Sequence, residues 1–149
     1  MDALDRRIIQ ELQENFPLEV NPYAIIAENI GIDIDTLWQR IQALLDSGII
    51  RRIGFSIDSK KVGYSSTLVA IRVSEPQVKK ACELISSYPQ ITHSYLRDNA
   101  FNIWFTVIAK DQQEISGILD GIQLKLGLKN DDIMDLPVEK LFKLDARFK

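Results

Sequence analysis

The stretch ITHSYLRDNAFNIWFTV, residues 91–107, sets His93, Tyr95 and Arg97 at alternate positions, and His93 is the only histidine in the chain. At the two-residue period of a strand, Ile91, His93, Tyr95 and Arg97 share one face, read as inward, while Thr92, Ser94 and Leu96 share the other. On the following run Asn102, Trp104 and Thr106 alternate against Phe101, Ile103, Phe105 and Val107. An imidazole can move a proton near neutral pH or ligate a metal, a phenol can donate or accept a hydrogen bond, and a guanidinium anchors a carboxylate through a fork of N–H donors. Gathered on one face beside apolar neighbours, these groups predict a pocket for an anionic ligand.

Two strands must position them. Ile91–Arg97 and Phe101–Ala109 are expected as strands joined by Asp98-Asn99 as a tight hairpin turn. Before them, STLVAIRV (66–73) is a β-branched run. Glu75 to Tyr88 then shows helical spacing through Val78, Ala81, Cys82 and Ile85, with Pro76 near its start. After them, Gln112 to Leu126 reads as a helix ending near Gly127, and DIMDLPVEKLFKLD (132–145) supplies a last strand, weakened at Pro137. Strand, helix, strand, strand, helix, strand is the order of a ferredoxin-like α+β domain.

The N-terminal part has a different period. Leu4, Ile8, Ile9 and Leu12 form one helical stripe closed by Pro17, and Pro22 to Gly31 makes a second, short helix. A third follows, with Asp35 as N-cap, an apolar face of Leu37, Trp38, Ile41, Leu44 and Leu45, and Ser47-Gly48 at its end. IIRRIGFSID (49–58) is expected to be a strand or wing. The fold class is therefore α+β, an N-terminal winged helix-turn-helix (residues 1–60) followed by a ferredoxin-like βαββαβ domain (residues 61–149).

Composition bounds the setting. The chain has 149 residues, a net charge of −3 and one cysteine, Cys82, so no disulfide framework closes within it and a reducing, cytoplasmic location is expected. No apolar run approaches the length of a membrane span, so neither membrane insertion nor export is expected. A helix-turn-helix invites DNA, yet residues 1–54 hold five basic groups against nine acidic ones, a balance of −4. Phosphate binding depends on lysines and arginines, so the charge argues against DNA binding. Trp38 and Cys82 read as core and Lys60-Lys61 as a solvated turn, and one histidine with one cysteine cannot build a protein-only zinc site.

With these residues in view, nearly the whole chain resembles the Lrp/AsnC architecture. IIRRIGFSIDSKKVGYSSTLVAIRV and THSYLRDNAFNIWFTVIA are similar to the sirohaem decarboxylase subunits of the Ahb and Nir type. That resemblance implies a carboxy-lyase of haem or modified-haem biosynthesis, turning two acetate side chains of sirohaem into methyl groups. It also implies work as a heterodimer with a paralogous subunit, with no cofactor beyond the iron tetrapyrrole substrate. The macrocycle delocalises the carbanion left by carbon dioxide, so the protein need only fix a carboxylate, exclude water and place an acid. Arg97 suits the first task, and Arg51, Arg52 and Arg72 the substrate's other carboxylates. His93 is the expected proton donor or, alternatively, the axial ligand to the substrate iron, with Tyr95 orienting and Trp104 facing the macrocycle or the core. Asn99 stands where some relatives carry histidine, so a second histidine, where the reaction needs one, comes from the partner. The alternative is an Lrp/AsnC-type transcription regulator sensing a small effector such as an amino acid or haem.

Overall fold

The computed structural model describes residues 1–143, in two compact units, Met1–Ser56 and Ile57–Phe142. Residues 144–149, the end of the expected second domain, lie outside the described residues; so does the tail, 144–145, of the stretch expected to carry the last strand.

The first unit is three helices: α1 (Ala3–Glu14), α2 (Pro22–Ile30) and α3 (Ile34–Asp46). Asp2 caps α1, and Asp5 reaches back to the Asp2 N–H at 3.0 Å, a reciprocal box that fixes where the helix starts. Pro22 opens α2, and Gly31, at φ 81°, provides the left-handed residue that ends it. The cap of α3 is Asp33 and not Asp35. Asp33 holds the extended cap backbone and accepts from the Thr36 N–H at 2.8 Å and the Thr36 hydroxyl at 2.6 Å, which leaves Asp35 inside the first turn. Ile8, Ile26, Ala27, Ile30, Leu37, Ile41 and Leu44 close the core. Trp38, expected in that core, is 45% exposed and packs on Tyr23 with ring centroids 4.3 Å apart. The expected wing does not form: residues 51–58 have no strand pairing among the described residues, and Ile53, Phe55 and Ile57 stay exposed.

The second unit follows the expected βαββαβ order. Its strands are β1 (Ser65–Ile71), β2 (Ile91–Leu96), β3 (Ile103–Ala109) and β4 (Ile133–Pro137), all antiparallel in the order β2-β3-β1-β4. Helices α4 (Val78–Ser86) and α5 (Gln112–Leu126) pack on one face of this sheet. The helix expected from Glu75 begins instead as a 3-10 turn, Glu75–Gln77, containing Pro76. Asp111 caps α5 and Gly127, at φ 65°, closes it, so both ends of that helix fall where the sequence marks them. Val69 and Ile71 of β1 and Ile103, Phe105 and Val107 of β3 are buried in one core with Ala81, Ile85, Ile115, Leu119 and Ile122 of the helices. Each such side chain contributes about 1.5–3 kcal/mol by leaving water, which makes the helix-covered face the part of this unit least able to shift. Cys82 packs partly buried against this core, as expected. Pro137 sits at the end of β4, an edge strand, where its missing N–H costs no ladder bond in the sheet interior.

Candidate functional site on the open sheet face

The sheet's other face carries the residues of interest. Cross-strand register sets them in two rows: His93, Thr106, Leu68 and Leu136, then Tyr95, Trp104, Ala70 and Met134. His93, Tyr95 and Arg97 are exposed, so the face read as inward is in fact the one the helices leave open. Leu68 and Leu136 are also exposed, which gives this face an apolar floor among the described residues of the unit. Ala70 is fully buried within it, because Trp104 and Met134 flank it in register.

The parity of β2 differs from simple alternation. Ile91 pairs with Val107 and His93 with Thr106, so Thr92 is an extra residue, a β-bulge. Ile91 therefore packs with the core while His93 turns to the open face, where regular spacing would have set the two together. A trace of this is legible: Ile91 and Leu96 fall on the same side in the observed register, yet their odd separation would oppose them in a regular strand. Past Leu96 the connection is also longer than expected. The Arg97 N–H donates to the Asn102 carbonyl at 2.8 Å, so four residues, 98–101, make the turn rather than Asp98-Asn99 alone.

Arg97 is held by an aromatic ring and not by an acid. Its Cζ lies 5.0 Å from the Trp104 ring centroid, and no ion pair engages it among the described residues. The Trp104 indole N–H donates to the Phe101 carbonyl at 2.7 Å, which fixes the ring that Arg97 covers. Arg97 also lines a shallow depression of about 400 Å³ with Glu75, Val78, Leu96, Asp98, Asn99 and Asn102. The His93 Nδ1 lies 2.9 Å from the Thr92 hydroxyl.

The other arginines are placed differently. Arg72 is bound to Asp132 at 2.7 and 2.8 Å, and its Cζ lies 5.4 Å from the Phe101 ring. Arg72 in turn holds the Asp132 carboxyl below its ordinary range, helped by the Lys129 N–H. Arg51 and Arg52 are exposed in the first unit. Arg40, the one basic residue of α3, is bound to Asp2 at 2.8 Å and Asp5 at 3.2 Å. Lys60 and Lys61 sit in an Asp58-capped turn, as expected. No cluster of three or more metal-ligating groups occurs among the described residues.

Sequence reading missed two supporting residues. The Asn102 side chain accepts from the Val73 N–H at 3.1 Å and donates to its carbonyl at 2.9 Å, tying the end of β3 to that of β1. Phe101, outside the strand, offers its carbonyl to Trp104 and its ring to Arg72.

Comparison with known proteins identifies the family. A family model described as "AsnC-like ligand binding domain" matches residues 61–143, and one described as "Siroheme decarboxylase NirDL-like HTH domain" matches residues 5–51. The chain is 38% identical to the siroheme decarboxylase alpha subunit of Nitratidesulfovibrio vulgaris over 149 residues, 100% of this chain and 83% of the relative. It is 32% identical to the siroheme decarboxylase NirG subunit of Pseudomonas aeruginosa over 148 residues, 99% of each. The crystal structure of the siroheme decarboxylase NirDL superposes with a TM-score of 0.73 at 28% identity, covering 94% of this chain and 45% of that one. The same enzyme in co-complex with an iron-uroporphyrin III analogue gives 0.71 at 27%, covering 90% and 44%. An AsnC family regulator from Agrobacterium tumefaciens gives 0.77 at 26%, covering 100% and 97%. Residues 5–51 therefore match the decarboxylase helix-turn-helix model, and residues 61–143 match the shared ligand-binding fold. The chain belongs to the siroheme decarboxylase subunits of the AsnC-like superfamily.

Proposed function

We propose that this chain is one subunit of a carboxy-lyase that binds sirohaem on its open sheet face and, with a paralogous subunit, converts two acetate side chains to methyl groups. The observation that carries this reading is the company on that face: a fixed indole, a phenol, an imidazole, and a guanidinium that no carboxylate among the described residues pairs with. A flat, apolar macrocycle with acidic side chains complements such a surface.

In this reading Arg97 pairs with an acetate carboxylate, with Trp104 supporting the guanidinium from behind. The carbon–carbon bond breaks, carbon dioxide leaves, and the electron pair stays on the methylene carbon, delocalised into the ring. One proton delivered to that carbon completes the methyl group. His93 either supplies that proton or ligates the substrate iron, and Tyr95 orients the substrate. Arg51 and Arg52 are candidates for the remaining carboxylates; Arg72, already paired with Asp132, is the weaker one. The NirDL chain is about twice as long as this one, and its relatives bear the names of separate subunits, which supports a functional unit of two such modules. We read the helix-turn-helix as structural, because Arg40 is committed to Asp2 and Asp5. No helix among the described residues is long and apolar enough to cross a membrane.

The test is an anaerobic titration of the Trp38→Phe variant with sirohaem, which leaves Trp104 as the sole indole reporter. Binding that quenches Trp104 fluorescence supports the reading, and binding without quenching or no binding contradicts it.

A further inference from the structure

Consecutive residues of a regular strand point to opposite faces, so their side chains do not meet. Thr92 and His93 do meet, with Nδ1 and Oγ1 2.9 Å apart, and they do so at the bulge between Ile91 and His93. One residue thus accounts for two features of His93. The extra backbone position carries the imidazole off the core face, and the hydroxyl lies against one of the two ring nitrogens.

We propose that Thr92 is a positioning residue for His93: its hydroxyl accepts the Nδ1 proton, so that Nε2 presents a lone pair to the substrate. The inference rests on the proposed role of the open face and deepens it. A histidine whose Nδ1–H is held by an acceptor has its tautomer and ring direction fixed together, which is how imidazoles that ligate iron are prepared. Without the hydroxyl, the ring gains rotational freedom at an exposed site, and nothing on the described face holds the proton at Nδ1.

His93 is the sole histidine, so the experiment reads one imidazole without assignment ambiguity. Long-range nitrogen–proton correlation spectra are recorded on the untagged, substrate-free chain, at a pH where the ring is neutral, for wild type, Thr92→Ser and Thr92→Val. The expected result is a proton on Nδ1 in wild type and Thr92→Ser, moving towards Nε2 in Thr92→Val. A proton on Nε2 in wild type, or a tautomer unchanged in Thr92→Val, overturns the proposal. In the assembled enzyme, kcat for sirohaem should fall roughly ten- to a hundredfold in Thr92→Val, as for lost outer partners of metal-binding histidines, with Thr92→Ser restoring it. Tautomer loss with kcat intact also overturns it. The spectra need no turnover, so failure of the decarboxylase reading and failure of the Thr92 inference are separate outcomes. A chain lacking Thr92 altogether restores one residue per step, which keeps His93 opposite Thr106 on the open face without its hydroxyl partner, and is the harsher variant. Thr92→Val leaves the backbone count intact and keeps the test valid should that deletion fail to fold.

Discussion

Arg97 stands over Trp104, its Cζ 5.0 Å from the ring centroid, and no carboxylate among the described residues pairs with it. A guanidinium that rests on an aromatic face is oriented without being neutralised. The charge therefore remains available to an incoming acid.

Removing that charge should weaken substrate binding. Hydrogen bonds to charged groups contribute about 1.5–3 kcal/mol, so Arg97→Ala should raise the sirohaem KM on the order of ten- to a hundredfold. Arg97→Lys should recover part of the loss, since an ammonium keeps the charge and loses the fork. Steady-state kinetics of the assembled enzyme check both, and an unchanged KM in Arg97→Ala would remove Arg97 from the site.

Ala70 tests the floor of the face. It is fully buried, opposite Trp104 on one side and Met134 on the other. Ala70→Leu should destabilise this unit by about 1–3 kcal/mol through overpacking and should displace the indole. Denaturant unfolding in a Trp38→Phe background, followed by the fluorescence of Trp104, reports both effects, and a variant with unchanged stability would mean that the floor yields.

How much of this was legible in the sequence differs from place to place. Helix α5 was bounded correctly because Asp111 and Gly127 are local signals that need no partner. The succession of strands and helices in the second unit followed from period and turn signals. The bulge at Thr92 escaped because alternation presumes one residue per step, and an extra residue leaves only a mismatch between Ile91 and Leu96. Trp38 looked like core because helical spacing cannot register how far a short α2 reaches over a large ring. The wing failed for a similar reason: Ile53, Phe55 and Ile57 alternate, but a strand needs a partner ladder that the pattern does not supply. The residue types of the candidate site, His93, Tyr95 and Arg97, stand in the sequence, whereas the Asn102 clamp on Val73 depends on an approach between strands that no local pattern encodes.

Acid should unfold the chain through identifiable carboxylates. The Asp132 carboxyl is lowered from 3.8 mainly by its hydrogen bond to Arg72, that of Asp2 by the Asp5 N–H and then Arg40, and that of Asp33 by the Thr36 hydroxyl and N–H. A carboxyl whose folded pKa is depressed stabilises the fold when ionised. That contribution is present above the unfolded value and is lost as pH falls through the folded one. The melting temperature should hold near neutral pH and drop below about pH 4, with a shallower drop in Asp132→Asn. Thermal melts across that range check it, and an equally steep acid limb in the variant would assign the effect elsewhere.

The helix-turn-helix should not behave as a reading head. With Arg40 tied to α1 and acidic groups in excess, the chain should show no salt-sensitive affinity for duplex DNA in fluorescence anisotropy at low ionic strength. Micromolar binding that weakens steeply with added salt would instead favour a regulator.

The most direct test of the central claim is anaerobic incubation of sirohaem with this chain and its paralogous subunit, with product mass measured for wild type and His93→Ala. The expected result is loss of two carbon dioxide units with wild type and retention of the acetates with His93→Ala, while sirohaem still binds. Equal loss with both would contradict a role for His93, and with it the assignment of the open sheet face as the place where the chemistry occurs.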